Sequence, residues 1–133
     1  RRTRWIEGAL LRNRDALPLK TSREEFLAHK EAARAFIEGR VAALNAAYGF
    51  TYEKITVRNQ KTLWGSCSRN GVLSFNYALT KLPPPLADYV VVHELCHLKE
   101  HNHASRFWKL VERTLPNHRA LRAELRRYRL GLG

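Results

Sequence analysis

The sequence predicts an α+β fold: a long N-terminal helix, a small antiparallel sheet, and then three further helices. Three observations predict it. Apolar residues recur at three- and four-residue steps through the first third of the chain, strict alternation runs over residues 72–79, and the apolar run Val90-Val91-Val92 follows a triple proline.

The elements follow in order. Thr21 and Ser22 precede Glu24 and Glu25, so a capping box can form from either start. Beyond it Phe26, Ala33, Ile37, Val41, Leu44 and Tyr48 mark one face of a helix of about 26 residues that Gly49 stops. Lys30, Arg34, Glu38 and Arg40 form its solvated side, and His29 reads as a surface or boundary residue. Residues 55–60 read as a short strand, followed by the turn-rich stretch Trp64-Gly65-Ser66-Cys67-Ser68-Arg69-Asn70-Gly71. Leu73, Phe75, Tyr77 and Leu79 then alternate with Ser74, Asn76 and Ala78, which predicts a strand over 72–79. Asn70-Gly71 is a strong hairpin signal, so two or three antiparallel strands are expected. Pro83-Pro84-Pro85 breaks the chain and presets a helix over about residues 85–101 that ends near Asn102. Another helix carries Phe107, Trp108, Val111 and Leu115 and stops before Pro116. The last, from about Asn117, sets Leu121, Leu125 and Tyr128 on one side and a basic stripe of Arg119, Arg122, Arg126 and Arg129 on the other.

The 133 residues suit a single domain over 1–133, large enough for a hydrophobic core. No apolar run approaches the ~18 residues of a membrane span. The opening 20 residues are basic but interrupted by Glu7, Asn13 and Asp15, so they lack the apolar centre of a signal peptide. Two cysteines make no disulfide framework, and a reducing cytoplasm is expected. Methionine is absent even from position 1, which predicts a piece lacking an upstream segment. The formal charge of +12 favours encounter with nucleic acid, nucleotides or acidic peptides, although an Arg-rich surface also serves plain solubility.

Residues 93–103 read His-Glu-Leu-Cys-His-Leu-Lys-Glu-His-Asn-His. On a helix, positions four apart lie one above the other, so His93 and His97 aim two imidazoles at one point. Glu94 stands where a metalloprotease helix carries the carboxylate that deprotonates a zinc-bound water. A third histidine leaves the fourth metal position open, and two candidates follow His97. His101 continues the four-residue series, but each step rotates the side chain by roughly 40°, so it points about 80° away from His93. His103 lies beyond Asn102, a plausible helix terminator, and is favoured because a ligand from past the helix end can fold back to close the site. Glu100 is a third, carboxylate, option. The expected cofactor is Zn²⁺, held by His93, His97 and His103, with Glu94 catalytic.

Cys67, on a loop, offers the competing reading of a cysteine nucleophile, but no local signature supports it and buried cysteine commonly acts as a plain hydrophobe. Cys96 reads as core, and Trp64 and Gly65 as packing and turning the chain beneath the metal helix. If the strand over 72–79 lies at an edge beside the metal, extended substrate backbone could add to it, with Asn76 facing the cleft. Asn76, Tyr77 and His118 are the candidates for a second oxyanion stabiliser, the first two forming the predicted substrate-binding pair.

These residues together resemble the YgjP-like metallopeptidase family, small zincins related to the SprT-like proteases. The resemblance is carried by Val57-Arg58-Asn59-Gln60, Trp64-Gly65-Ser66-Cys67-Ser68, Leu73-Ser74-Phe75-Asn76 and Leu82-Pro83. It continues through Asp88-Tyr89-Val90-Val91-Val92-His93-Glu94-Leu95-Cys96-His97-Leu98, then Asn102-His103 and Phe107-Trp108. The resemblance implies a zincin-like metallohydrolase fold, metal ligands at His93, His97 and His103, and a catalytic carboxylate at Glu94. Family members carry more sequence before the helix that begins near Arg4-Trp5-Ile6. The spacing to His103 equals that of metzincins, but Glu100 stands where those need glycine.

The leading expectation is therefore a zinc-dependent hydrolase acting on peptide or unfolded protein. One alternative keeps the metal but cleaves a nucleotide phosphoanhydride, whose phosphates the Arg-rich surface would draw. Another is a DNA-associated, SprT-like protein using the basic stripe, although no dedicated nucleic-acid motif is present.

Overall fold

The computed structural model describes residues 21–128. The elements run α1 (Arg23–Asn45), β1 (Lys54–Arg58), β2 (Gly65–Cys67), β3 (Val72–Asn76), a 3-10 helix (Tyr77–Lys81), α2 (Pro84–His97), α3 (Ser105–Glu112) and α4 (His118–Leu125). The fold is α+β and zincin-like, as the sequence predicts. Arg129 of the basic stripe and the helix expected near Arg4-Trp5-Ile6 lie outside the described residues.

Of the two possible caps on α1, Ser22 is the one used: its hydroxyl accepts from the Glu25 amide at 3.0 Å. The helix stops three residues earlier than the periodicity suggests, in a short turn that Gly49, at φ +72°, completes. Ala33, Ile37 and Val41 are its buried face.

The sheet is mixed, which corrects the expectation of purely antiparallel pairing. Its order is β1-β3-β2, with β2 antiparallel and β1 parallel to β3. The predicted Asn70-Gly71 hairpin does join β2 to β3, and Gly71 adopts φ +86° there. The parallel pair follows from a contact the local sequence does not encode. The Glu53 amide donates to the Gly71 carbonyl at 2.8 Å, tying the entrance of β1 to the entrance of β3. From that junction both strands leave in one direction, in register from Lys54↔Val72 to Arg58↔Asn76. β3 is therefore the central strand, and the edge role expected for residues 72–79 passes to its neighbours.

β3 also ends sooner than the alternation predicts. The Asn76 side chain accepts from the Ala78 amide at 2.9 Å and opens the 3-10 helix, where Tyr77, Ala78 and Leu79 are all buried. Alternation stops describing the chain there, because the 3-10 segment buries successive residues beneath α1.

Helix α2 is the centre of the molecule. Pro84 and Pro85 occupy its first positions, where a missing N–H costs nothing. Val90, Val91, Val92, Leu95 and Cys96 are fully buried, so the helix has no solvated face over its second half. One core joins α1, the sheet and α4 to Leu86, Val90, Val91 and Leu95; a second joins Val92 and Cys96 to Phe107 and Val111 of α3. Near the first turn of α2, Asp88 receives both arms of the Arg40 guanidinium at 2.9 Å, pinning α1 to α2. The helix ends at His97, a turn before the predicted end, closing with the Glu100 amide on the Cys96 carbonyl at 2.9 Å. Among the described residues no helix is long and apolar enough to cross a membrane.

Candidate metal centre

His93 and His97 project from the last turns of α2, and His103 returns from the loop before α3. The ligand nitrogens of the three lie within 4.8 Å of one another and form a group able to hold a metal ion. His97 Nε2 and His103 Nε2 are 2.9 Å apart. Two of the remaining ring nitrogens, those of His97 and His93, are anchored. The Glu100 carbonyl lies 2.9 Å from His97 Nδ1, and because a carbonyl only accepts, Nδ1 carries the proton and Nε2 presents its lone pair. His93 Nδ1 sits 3.3 Å from Glu94 Oε2, which orients that ring in the same sense. His101, the alternative third ligand, is exposed and faces a separate cavity with Tyr52, Arg69 and Leu98.

An aromatic residue sets this geometry from behind. The Phe107 ring is fully buried and packs against all three imidazoles, with centroids 5.0 Å from His93, 4.5 Å from His97 and 5.1 Å from His103. Trp108 adds a second anchor, its indole N–H donating to the His103 carbonyl at 3.2 Å. The sequence offers Phe107 and Trp108 as apolar helix positions; their part in shaping the site becomes visible only once His103 folds back over them.

Burial decides the protonation states. It pushes the His93 imidazolium down to about 4, helped by the positive charge of Arg122. His97 and His103 are lowered as well, first by burial. At neutral pH the cluster is therefore three neutral imidazoles, the form that ligates cations. Glu94 is completely buried, and burial pushes its carboxyl up to about 8. Its Oε1 has no hydrogen-bond partner. An orphaned carboxylate oxygen beside three converging lone pairs is costly unless a cation or a polar ligand comes to it, so these residues fit a metal.

Gly65 allows the sheet to approach this carboxylate. A Cβ there would lie 3.1 Å from Glu94 Cγ and 3.2 Å from the Ser74 carbonyl oxygen, so any larger residue would press on both, and glycine lets β2 run this close to α2 without displacing them. The sequence suggests a turn at this position; the requirement is instead for space.

The remaining candidates sit elsewhere. Asn76 is 2% exposed, and its amide donates to the carbonyls of Gln60, at 2.7 Å, and Leu63, at 3.3 Å. The Tyr77 hydroxyl donates to Glu25 Oε1 and accepts from the Ser22 amide, on the α1 side of the molecule. As placed, both side chains are occupied in holding the chain together rather than in lining the histidine cluster. We expect Asn76→Ala to cost about 1–3 kcal/mol in urea unfolding, because it strands buried backbone groups. His118 Nε2 meets Glu112 Oε2 at 3.2 Å while its ring stacks on Trp108. Cys67 and Cys96 are free thiols, both pushed up to about 11 by burial, so neither offers a thiolate at neutral pH. Cys96 is core, as predicted.

An α+β frame of zincin type that gathers three neutral imidazoles beside a buried glutamate is the architecture of a metal-dependent peptidase domain. Residues 4–128 match the family described as "YgjP-like, metallopeptidase domain", and the chain belongs to that family. A similar fold occurs in the crystal structure of the metallopeptidase zymogen of Pyrococcus abyssi abylysin. The TM-score is 0.66 at 21% identity, over 73% of this chain and 99% of that one. No curated protein matches the chain.

Proposed function

We propose that the chain is a zinc-dependent peptidase in which His93, His97 and His103 hold the metal and Glu94 is the general base, with peptide or unfolded protein as substrate. The observation that carries this reading is the juxtaposition of three converging imidazoles with the unpartnered Glu94 Oε1. Three imidazoles with no charged ligand are the donor set of a hydrolytic zinc site. Zinc, when bound, supplies the Lewis acidity that acidifies water and polarises a carbonyl. The protein's own share is to place a base. Glu94 Oε1 takes the proton of the attacking water and returns it to the departing amine, its carboxylate form being favoured once the charge of a bound cation offsets the burial that otherwise raises this carboxyl. Phe107 and the Glu100 carbonyl keep the imidazoles from turning away. The outer edge of β2, next to Glu94 through Gly65, offers backbone groups to an extended peptide and supports a peptide over a compact substrate. The two free thiols suit a cytoplasmic setting.

The test is metal content followed by substrate trials. We expect one zinc per chain by elemental analysis, and casein cleavage that a chelator stops and zinc restores. Release of pyrophosphate from nucleotides with no cleavage of casein would overturn the peptide assignment while leaving the metal.

A further inference from the structure

Beside His103 lies a groove of about 430 Å³ between α3 and α4 that the chemistry above does not use. Trp108 joins the two: its ring stacks on His118 at 5.1 Å and 15° and also stands 6.0 Å from the His103 ring at 29°. The Arg122 guanidinium lies over the same indole, 5.4 Å from a ring centroid. Lys109 and Arg119 line the groove as well, against a single carboxylate, Glu112, which is turned to His118 Nε2 at 3.2 Å. Among the described residues Arg122 has no ion-pair partner, so its donors remain available. A guanidinium packed over an aromatic ring has already lost part of the rotamer freedom that carboxylate binding would otherwise cost, and its fork matches a carboxylate in two bonds.

We infer that this groove is an anion subsite of the peptidase, in which Arg122, held by Trp108, takes a carboxylate of the substrate with Lys109 and Arg119 beside it. The inference rests on the peptidase reading above and adds a specificity to it. The carboxylate has two sources, an acidic side chain near the scissile bond or the free C-terminus of the peptide.

Two pairs of peptides separate the sources: one with Glu or Gln scanned through positions flanking the cleaved bond, the other with a C-terminal acid or its amide. Cleavage by the zinc-loaded chain and calorimetric binding to zinc-loaded Glu94→Gln are measured for each. We expect the carboxylate form to be preferred by about tenfold or more in one pair, which names the source. Arg122→Gln should bring that ratio close to one, and Arg122→Lys should keep part of it as a point charge. Arg126→Gln, an equal loss of charge on the adjoining turn, should leave the ratio unchanged. Equal use of acid and amide by the parent would overturn the subsite while cleavage itself upholds the peptidase. Erosion of the ratio by Arg126→Gln as large as by Arg122→Gln would overturn it too, as an effect of bulk charge. A carboxylate preference in binding with no cleavage of any peptide would overturn the peptidase reading and keep the subsite.

Discussion

Glu94→Gln is expected to retain the fold and the bound metal and to lose turnover by about 10²–10⁴-fold, the usual worth of a positioned general base. The amide is nearly isosteric with the carboxylate, and the position is completely buried beside β2, so the side chain has nowhere else to go. The imidazoles should not move either, because His97 is held by the Glu100 carbonyl and all three rings rest on Phe107. What changes is chemical: an amide oxygen cannot take a proton from water at neutral pH. Stability should not account for the loss, because the substitution removes a buried ionisable group whose charged form burial already disfavours. Metal analysis, thermal unfolding and casein cleavage on one preparation check the three parts. Parent-like turnover in a zinc-loaded variant would remove Glu94 from the role of base.

His103→Ala should weaken metal binding by more than the roughly 10–100-fold typical of losing an outer-shell partner, because it deletes a ligand outright. His101→Ala should leave affinity unchanged. The two histidines lie two residues apart, yet His103 stands 2.9 Å from His97 through their Nε2 atoms while His101 is exposed and lines a separate cavity. Competition against a chelating dye measures both. A larger loss in His101→Ala would mean that the loop after α2 folds differently in the metal-loaded protein.

Much of this site is legible in the sequence because its first half is local. Four-residue spacing places His93 and His97 on one helix face whatever the rest of the chain does. The third histidine is only half legible: helical rotation argues against His101, but that His103 returns to the cluster depends on where α2 stops. The expected end near Asn102 is a turn too late, and the true end, after His97, is set by the tight turn onto the Cys96 carbonyl. Asn76 and Tyr77 were attractive because alternation put them on a strand by the metal, yet β3 yields to a 3-10 helix at that point and their polar groups go to backbone and α1. Gly65 beneath the metal helix and Phe107 on an apolar helix face were legible, but the close approach of one to Glu94 and the packing of the other on all three imidazoles were not, since these exist only between distant parts of the chain.

The sequence by itself determined the α+β class, the start of α1 at a Thr-Ser cap, the Asn-Gly hairpin, the proline start of α2, and the paired imidazoles with a glutamate between them. Each of these is a matter of backbone preference or helical period within a few residues. Tertiary structure alone decided that β3 is central and parallel to β1, that β2 presses against Glu94, and that Arg122 sits over Trp108 beside His103. It also decided the chemistry's setting, for Glu94 is raised and the histidines are kept neutral by burial. Burial is supplied by α1, the sheet and α3 closing around one helix, a property no local spacing contains.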